Sequence, residues 1–297
     1  LRTFMFETIA QNIPDQQINF HDITLIIRRL DLVHPQISGN KFFKLKYNFL
    51  EAKRQGYQHI LSFGGAYSNH IAATAFAAQQ FGFKSVGVIR GEELADRPLN
   101  PTLATAQQFG MKLHFVSRDE YRRKQQPEYL AELARQFPEH YVIPEGGTNA
   151  LAIQGCQEIL KDSDAQFDVI CCAVGTGGTI SGLIEASHAH QQILGFSALK
   201  GSFLKDEVAQ LTKKTNWNIL DDYCCGGYAK TSAALVQFIR DFEAEFSILL
   251  EQVYTAKMLM GIFDLIEKNY FPARSKLLVI HSGGLQGRNI PFNSIAI

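Results

Sequence analysis

The sequence is poor in the features that mark several large classes of protein. It has five cysteines in 297 residues and no Cys-x-x-Cys pair, so a zinc site of that type has nothing to start from. The odd count and the apolar setting of Cys171 and Cys172 fit reduced, packed thiols of a cytoplasmic protein better than a disulfide framework. Neither sign of charge is in excess. Lys plus Arg and Asp plus Glu are both 29, which removes the electrostatic case for a nucleic-acid or anionic-membrane partner. No apolar run approaches the ~18 residues of a membrane span. The first residues lack the apolar run and small-residue cleavage site of a secretory signal, and no repeat or low-complexity stretch occurs. What is present is 46% hydrophobic and only 20% charged, which suits a large buried core and opposes disorder.

From about residue 57, short apolar runs alternate with longer amphipathic segments. The first block predicts strands at 59–63, 85–90, 112–116 and 141–143, with helices at 68–81, 101–109 and 121–136. The second predicts helices at 150–160, 179–188, 204–214, 231–245 and 257–269, with strands at 167–174, 192–199, 217–220 and 276–281. Such alternation implies an α/β protein of two domains, each a mainly parallel twisted sheet flanked by helices. The Pro144-Glu-Gly-Gly-Thr148 loop is the candidate crossing between them.

Three segments could carry chemistry. In Val174-Gly175-Thr176-Gly177-Gly178-Thr179, glycines between a strand and a helix allow close backbone approach to a ligand, and the helix start offers unpaired N–H groups. The loop reads as a phosphate cradle or as a plain glycine-rich turn. It is neither a P-loop nor a dinucleotide fingerprint, because Ile180 stands at the third glycine position. The second segment is Phe63-Gly64-Gly65-Ala66-Tyr67-Ser68-Asn69-His70, where Ser68 or Asn69 could simply cap the following helix. Ala66 and His70 replace the glycines of a nucleophile elbow. His70 with His59 lacks further ligands at metal spacing, so no metal is expected. The third segment, Ser38-Gly39-Asn40-Lys41-Phe42-Phe43-Lys44-Leu45, precedes an amphipathic helix. Phe42, Phe43 and Leu45 are expected to desolvate Lys41, lowering its pKa toward that of a Schiff-base lysine.

Together these segments, with Val253-Tyr254-Thr255-Ala256-Lys257 and His281-Ser282-Gly283-Gly284, resemble one family in order and spacing over nearly the whole chain. It is the group of pyridoxal-phosphate enzymes related to D-cysteine desulfhydrase and 1-aminocyclopropane-1-carboxylate deaminase, with the tryptophan-synthase-β-like fold (fold type II). The resemblance implies pyridoxal 5'-phosphate as cofactor, a small amino-acid substrate and a homodimer. It implies a large cofactor-binding domain from 1–38 and 148–297 and a smaller one from 39–147. Lys41 would carry the cofactor as a Schiff base, and Asn69 would bond its phenolic oxygen. The loop Gly175, Thr176, Gly177, Gly178 and Thr179 would hold its phosphate. Ser68 and Tyr254 join Lys41 as catalytic positions, and Ser68, Asn69, His70, Tyr67 and Tyr228 face the substrate.

Thr255 and Ser282 occupy the two positions near the ring nitrogen where the deaminases resemble one another in carrying Glu and Leu. A hydroxyl is a weak proton donor to pyridine, so the ring stays less cationic and α,β-elimination is expected. The products would be a 2-oxo acid, ammonia and sulfide. The alternatives are a ring-opening deaminase of the hydrolase class and a cofactor-binding protein without turnover, the latter prompted by Tyr67 in place of Gln and Phe43 in place of Arg.

Overall fold

The computed structural model describes residues 5–289. The chain folds as two compact units, one built from residues 5–10, His34–Ile37 and Lys41–Gly155, the other from Gln11–Val33, Ser38–Asn40 and residues 156–289. The 144–148 loop lies inside the first unit, and the chain passes from the second unit to the first between Asn40 and Lys41.

The first unit holds a parallel sheet in the order Met111–Val116, Lys84–Arg90, His59–Gly64, His140–Ile143. Its central strands are buried along their length and covered on both faces, as their unbroken apolar runs require. Leu61, Phe63, Val86 and Val88 pack against Tyr129, Leu133 and Phe137. Ile71, Ala75, Ile89 and Leu103 make a separate cluster. The stretch at 121–136 is two helices, Arg118–Arg122 and Pro127–Gln136. Pro127 forces the break, since the residue before proline is pushed out of the helical region, and Gln126 is extended.

The second unit is a sheet in the order Asp15–Phe20, Ile23–Arg29, Lys276–His281, Val169–Val174, Gln192–Ser197, Trp217–Leu220. All neighbours are parallel except the first pair, an antiparallel hairpin turning through His21 at φ 53°. The sequence reading did not anticipate this hairpin. Arg28 locks it in place: its buried guanidinium donates to Asp15, Asp164 and the Ile159 carbonyl. Leu25, Ile27, Val279, Cys171 and Leu194 form the core with Ile262 and Leu259 of the Thr255–Glu267 helix. The five cysteines are free, and among the described residues no helix is long and apolar enough to cross a membrane.

Candidate active site

Each unit carries its own set of the expected residues. In the second unit they gather where neighbouring parallel strands end at Val174 and His281, the edge at which open α/β sheets bind ligands. Val174 leads into the glycine loop. Gly177 takes φ 76° as cap of the Gly178–Ala186 helix, whose first turn, including Thr179, is buried. Gly175 is glycine for a different reason: a Cβ there would lie 3.0 Å from the Tyr254 ring and 3.2 Å from its hydroxyl. Tyr254 is thus set against the loop, and Tyr228 packs edge-on to Tyr254 with centroids 6.1 Å apart.

The segment before Lys41 is bound into the same cluster. Asn40 donates its side-chain N–H to Thr179 Oγ1 at 2.7 Å and its backbone N–H to the Ser282 carbonyl at 3.2 Å. Gly39, at φ 69°, passes so close that a Cβ would sit 1.8 Å from the Ser282 oxygen. Beneath Ser282, buried His281 contacts Asp31 and the Leu249 carbonyl, and Arg29 grips Asp31 with two bonds. Thr255 is fully buried and its hydroxyl is engaged with Glu251, accepting from the backbone N–H at 3.1 Å and facing the carbonyl and carboxylate at 3.3 Å. Glu251 in turn accepts the N–H groups of Val253, Tyr254 and Thr255 at 2.6–2.7 Å. Burial pushes its carboxyl above the ordinary value while these amides pull the other way. That cap is why the helix begins at Thr255, two residues before the expected start.

In the first unit, Lys41 lies in the first turn of a helix spanning Asn40–Arg54 rather than before it. Of the three apolar neighbours, Leu45, four places along the helix and buried, shares the Lys41 face. Residues one and two places along a helix point to other faces, and Phe42 packs on Phe6 and Phe43 on Phe42. The residue three places along, Lys44, shares the Lys41 face; it is buried and bonds Thr148 Oγ1 at 2.8 Å. Sequence reasoning assigned Lys44 no role, although the i, i+3 spacing of two lysines was visible.

Ser68 caps the Asn69–Gln80 helix, its hydroxyl accepting the Ile71 N–H at 3.3 Å. Gly64 leaves room for it, since a Cβ there would meet Ser68 Oγ at 2.6 Å. Asn69 Oδ1 is buried without a hydrogen-bond partner, and Tyr67 is 68% exposed. His70 is buried, with Nε2 2.7 Å from Ser62 Oγ; that hydroxyl donates to the Ile143 carbonyl at 2.9 Å. Ser62 has one proton, and with it spent on Ile143 the imidazole donates from Nε2. Nδ1 is then a bare acceptor, buried and without a partner. Burial first, then the charges of Lys41 and Lys44, hold the ring well below its ordinary pKa, so it is neutral.

The residues fit pyridoxal phosphate. The second unit offers a glycine-built helix start against a tyrosine ring, and the first an orphaned polar atom on Asn69 beside the Ser68 cap. Among the described residues no group of three or more His, Cys, Asp or Glu could hold a metal ion.

A family model described as "Pyridoxal-phosphate dependent enzyme" matches residues 19–283. A Thermotoga maritima protein provisionally named 1-aminocyclopropane-1-carboxylate deaminase is 30% identical over 292 residues, covering 90% of each chain. The mitochondrial bifunctional D-cysteine desulfhydrase/1-aminocyclopropane-1-carboxylate deaminase of Arabidopsis thaliana is 28% identical and covers 89% of this chain and 73% of its own. The crystal structure of an ACC deaminase homologue superposes with a TM-score of 0.82 at 27% identity, over 94% of this chain and 91% of that one.

Proposed function

The chain belongs to the pyridoxal-phosphate-dependent enzymes, and from that premise we propose that it eliminates the β-substituent of a small amino acid such as D-cysteine. The net reaction takes D-cysteine and water to pyruvate, ammonia and hydrogen sulfide. Pyridoxal phosphate, when bound, supplies an aldehyde for amines and a ring that accepts the electron pair left by the α-proton. Lys41 holds the cofactor covalently, Asn69 bonds its phenolic oxygen, and the backbone of Gly175 to Thr179 receives the phosphate at the helix start. Ser68 and the start of its helix, with Asn69 and His70, receive the substrate carboxylate, with Tyr67 at the rim. Tyr254 and Tyr228 flank the reacting carbons.

The observation that carries elimination over ring opening is the engagement of Thr255. Its hydroxyl proton is turned to Glu251, so Thr255 has no proton left to offer a pyridine nitrogen, and a ring without an acidic partner there stays a weak sink. Prompt departure of a β-leaving group needs less than cyclopropane opening does. The test offers D-cysteine, L-cysteine and 1-aminocyclopropane-1-carboxylate to the holoenzyme. Pyruvate and sulfide from D-cysteine are expected, and 2-oxobutyrate as the principal product would overturn the reading. The free cysteines favour the cytoplasm, and the family likeness favours a homodimer, which light scattering on the eluting protein checks.

A further inference from the structure

The loop at 221–230, which carries Tyr228, is a chain of tight turns closed by its own backbone bonds, Cys224 N–H to Asp221, Gly227 N–H to Cys224 and Lys230 N–H to Gly227, yet its conformation is strained. Cys225, Gly226, Gly227 and Ala229 all have positive φ, at 51°, 86°, 119° and 55°, and two of these are not glycine. Such residues persist only where the surroundings over-determine them. The surroundings here include one buried lysine. Lys257 is 1% exposed, and its ammonium donates to the carbonyls of Cys224 at 2.9 Å and Gly227 at 2.8 Å. Those carbonyls flank Cys225, Gly226 and Gly227, and the second immediately precedes Tyr228. A buried ammonium is costly unless hydrogen-bonded, so these bonds fix the loop as firmly as the loop fixes the lysine. Lys257 also lies in the first turn of the helix that Tyr254 precedes as its cap residue. One helical turn therefore presents Tyr254 directly and holds Tyr228 through two carbonyls.

We propose that Lys257 is a positioning residue whose ammonium clasps the 224–227 turn and so sets Tyr228 against Tyr254. The clasp acts on substrate fit, and to that extent it rests on the reading of Tyr228 as substrate-facing. It touches no reacting atom itself. Glu251 holds the backbone of Tyr254 from the other side, so two buried groups of opposite sign fix the two tyrosines, one each.

Hydrogen exchange on the holoenzyme tests the clasp without reference to turnover. In Lys257→Met the amides of 224–230 should exchange at least about tenfold faster, while those of Val169–Val174 stay unchanged. Lys257→Gln, which keeps an amide donor, should fall between and serves if the methionine variant does not fold. Kinetics then tests the route: KM for D-cysteine should rise about tenfold in Lys257→Met with kcat within about threefold. The Lys257→Met/Tyr228→Ala double variant should be no worse than Tyr228→Ala alone. Unchanged exchange in 224–230, or KM effects that multiply, would overturn the proposal. A wild-type enzyme inert to D-cysteine would count against the proposed function and leave the exchange data to decide on Lys257.

Discussion

The two units treat their buried polar groups in opposite ways. Among the described residues, the buried side-chain atoms that lack a hydrogen-bond partner are His59 Nδ1, Asn69 Oδ1, His70 Nδ1, Thr74 Oγ1 and Ser85 Oγ in the first unit, against Asp221 Oδ1 in the second. The second unit instead saturates its interior polar groups: Glu251 with three amides, Lys257 with two carbonyls, Arg28 with two carboxylates, Asp31 with Arg29 and His281. An unsatisfied buried polar atom costs about 1–3 kcal/mol. The second unit thus satisfies its interior polar groups, whereas the first leaves Asn69 Oδ1 and His70 Nδ1 unpaired at the start of the Asn69–Gln80 helix, where the proposed function would have a ligand meet Asn69.

The severest way to break this division is to remove the covalent anchor. Lys41→Ala should cost on the order of a thousandfold in turnover and abolish the visible band of the bound cofactor, read by absorbance. The cradle should break next. Gly39→Ala sets a Cβ against the Ser282 carbonyl at a positive φ, so thermal denaturation should show a loss of about 3 kcal/mol or failure to fold. Glu251→Ala strands three amides at the head of the Thr255–Glu267 helix, for a loss of about 2–3 kcal/mol by denaturant titration.

A milder probe is pH. His70 is held neutral well below its ordinary 6.5 in the folded protein, while the unfolded chain takes up the proton. Its contribution is therefore complete above 6.5 and is lost as pH falls below it, at up to about 1.4 kcal/mol per pH unit. Denaturant midpoints at about pH 7.5 and 5.5 should show a shallower fall in His70→Gln than in the wild type. The smallest effect on stability sharpens the comparison most. Asn69→Ala removes an orphaned atom, so the cofactor-free protein should be unchanged or up to about 1 kcal/mol more stable. Cofactor affinity, by titration, should drop about tenfold. A cofactor-free variant clearly less stable than the wild type would show that Asn69 was not waiting for a ligand.

Much of this was legible in the residues, and the reasons differ by element. The parallel strands announced themselves as continuous apolar runs, because burial on both faces demands them. The hairpin of Asp15–Phe20 and Ile23–Arg29 did not, since its stability comes from Arg28 reaching Asp164, a partner 136 positions away. The glycine loop was visible because only glycine tolerates Tyr254 against Gly175 or the left-handed turn at Gly177. The start of the helix at Asn40 was not legible, and with it the sorting of the neighbours of Lys41: Phe42 and Phe43 turn to other faces, while Lys44 and Leu45 share its own. Glu251 gave no signal at all, and Lys257 and His281 stood in quoted motifs without a role: each is a common polar residue whose part comes from burial, which one sequence does not record.

The most direct measurement is the site of covalent attachment. Reducing the holoenzyme with borohydride and locating the pyridoxyl adduct by peptide mass spectrometry should place it on Lys41. An adduct on Lys44, one helical turn along the same face, or on no lysine at all, would contradict the account.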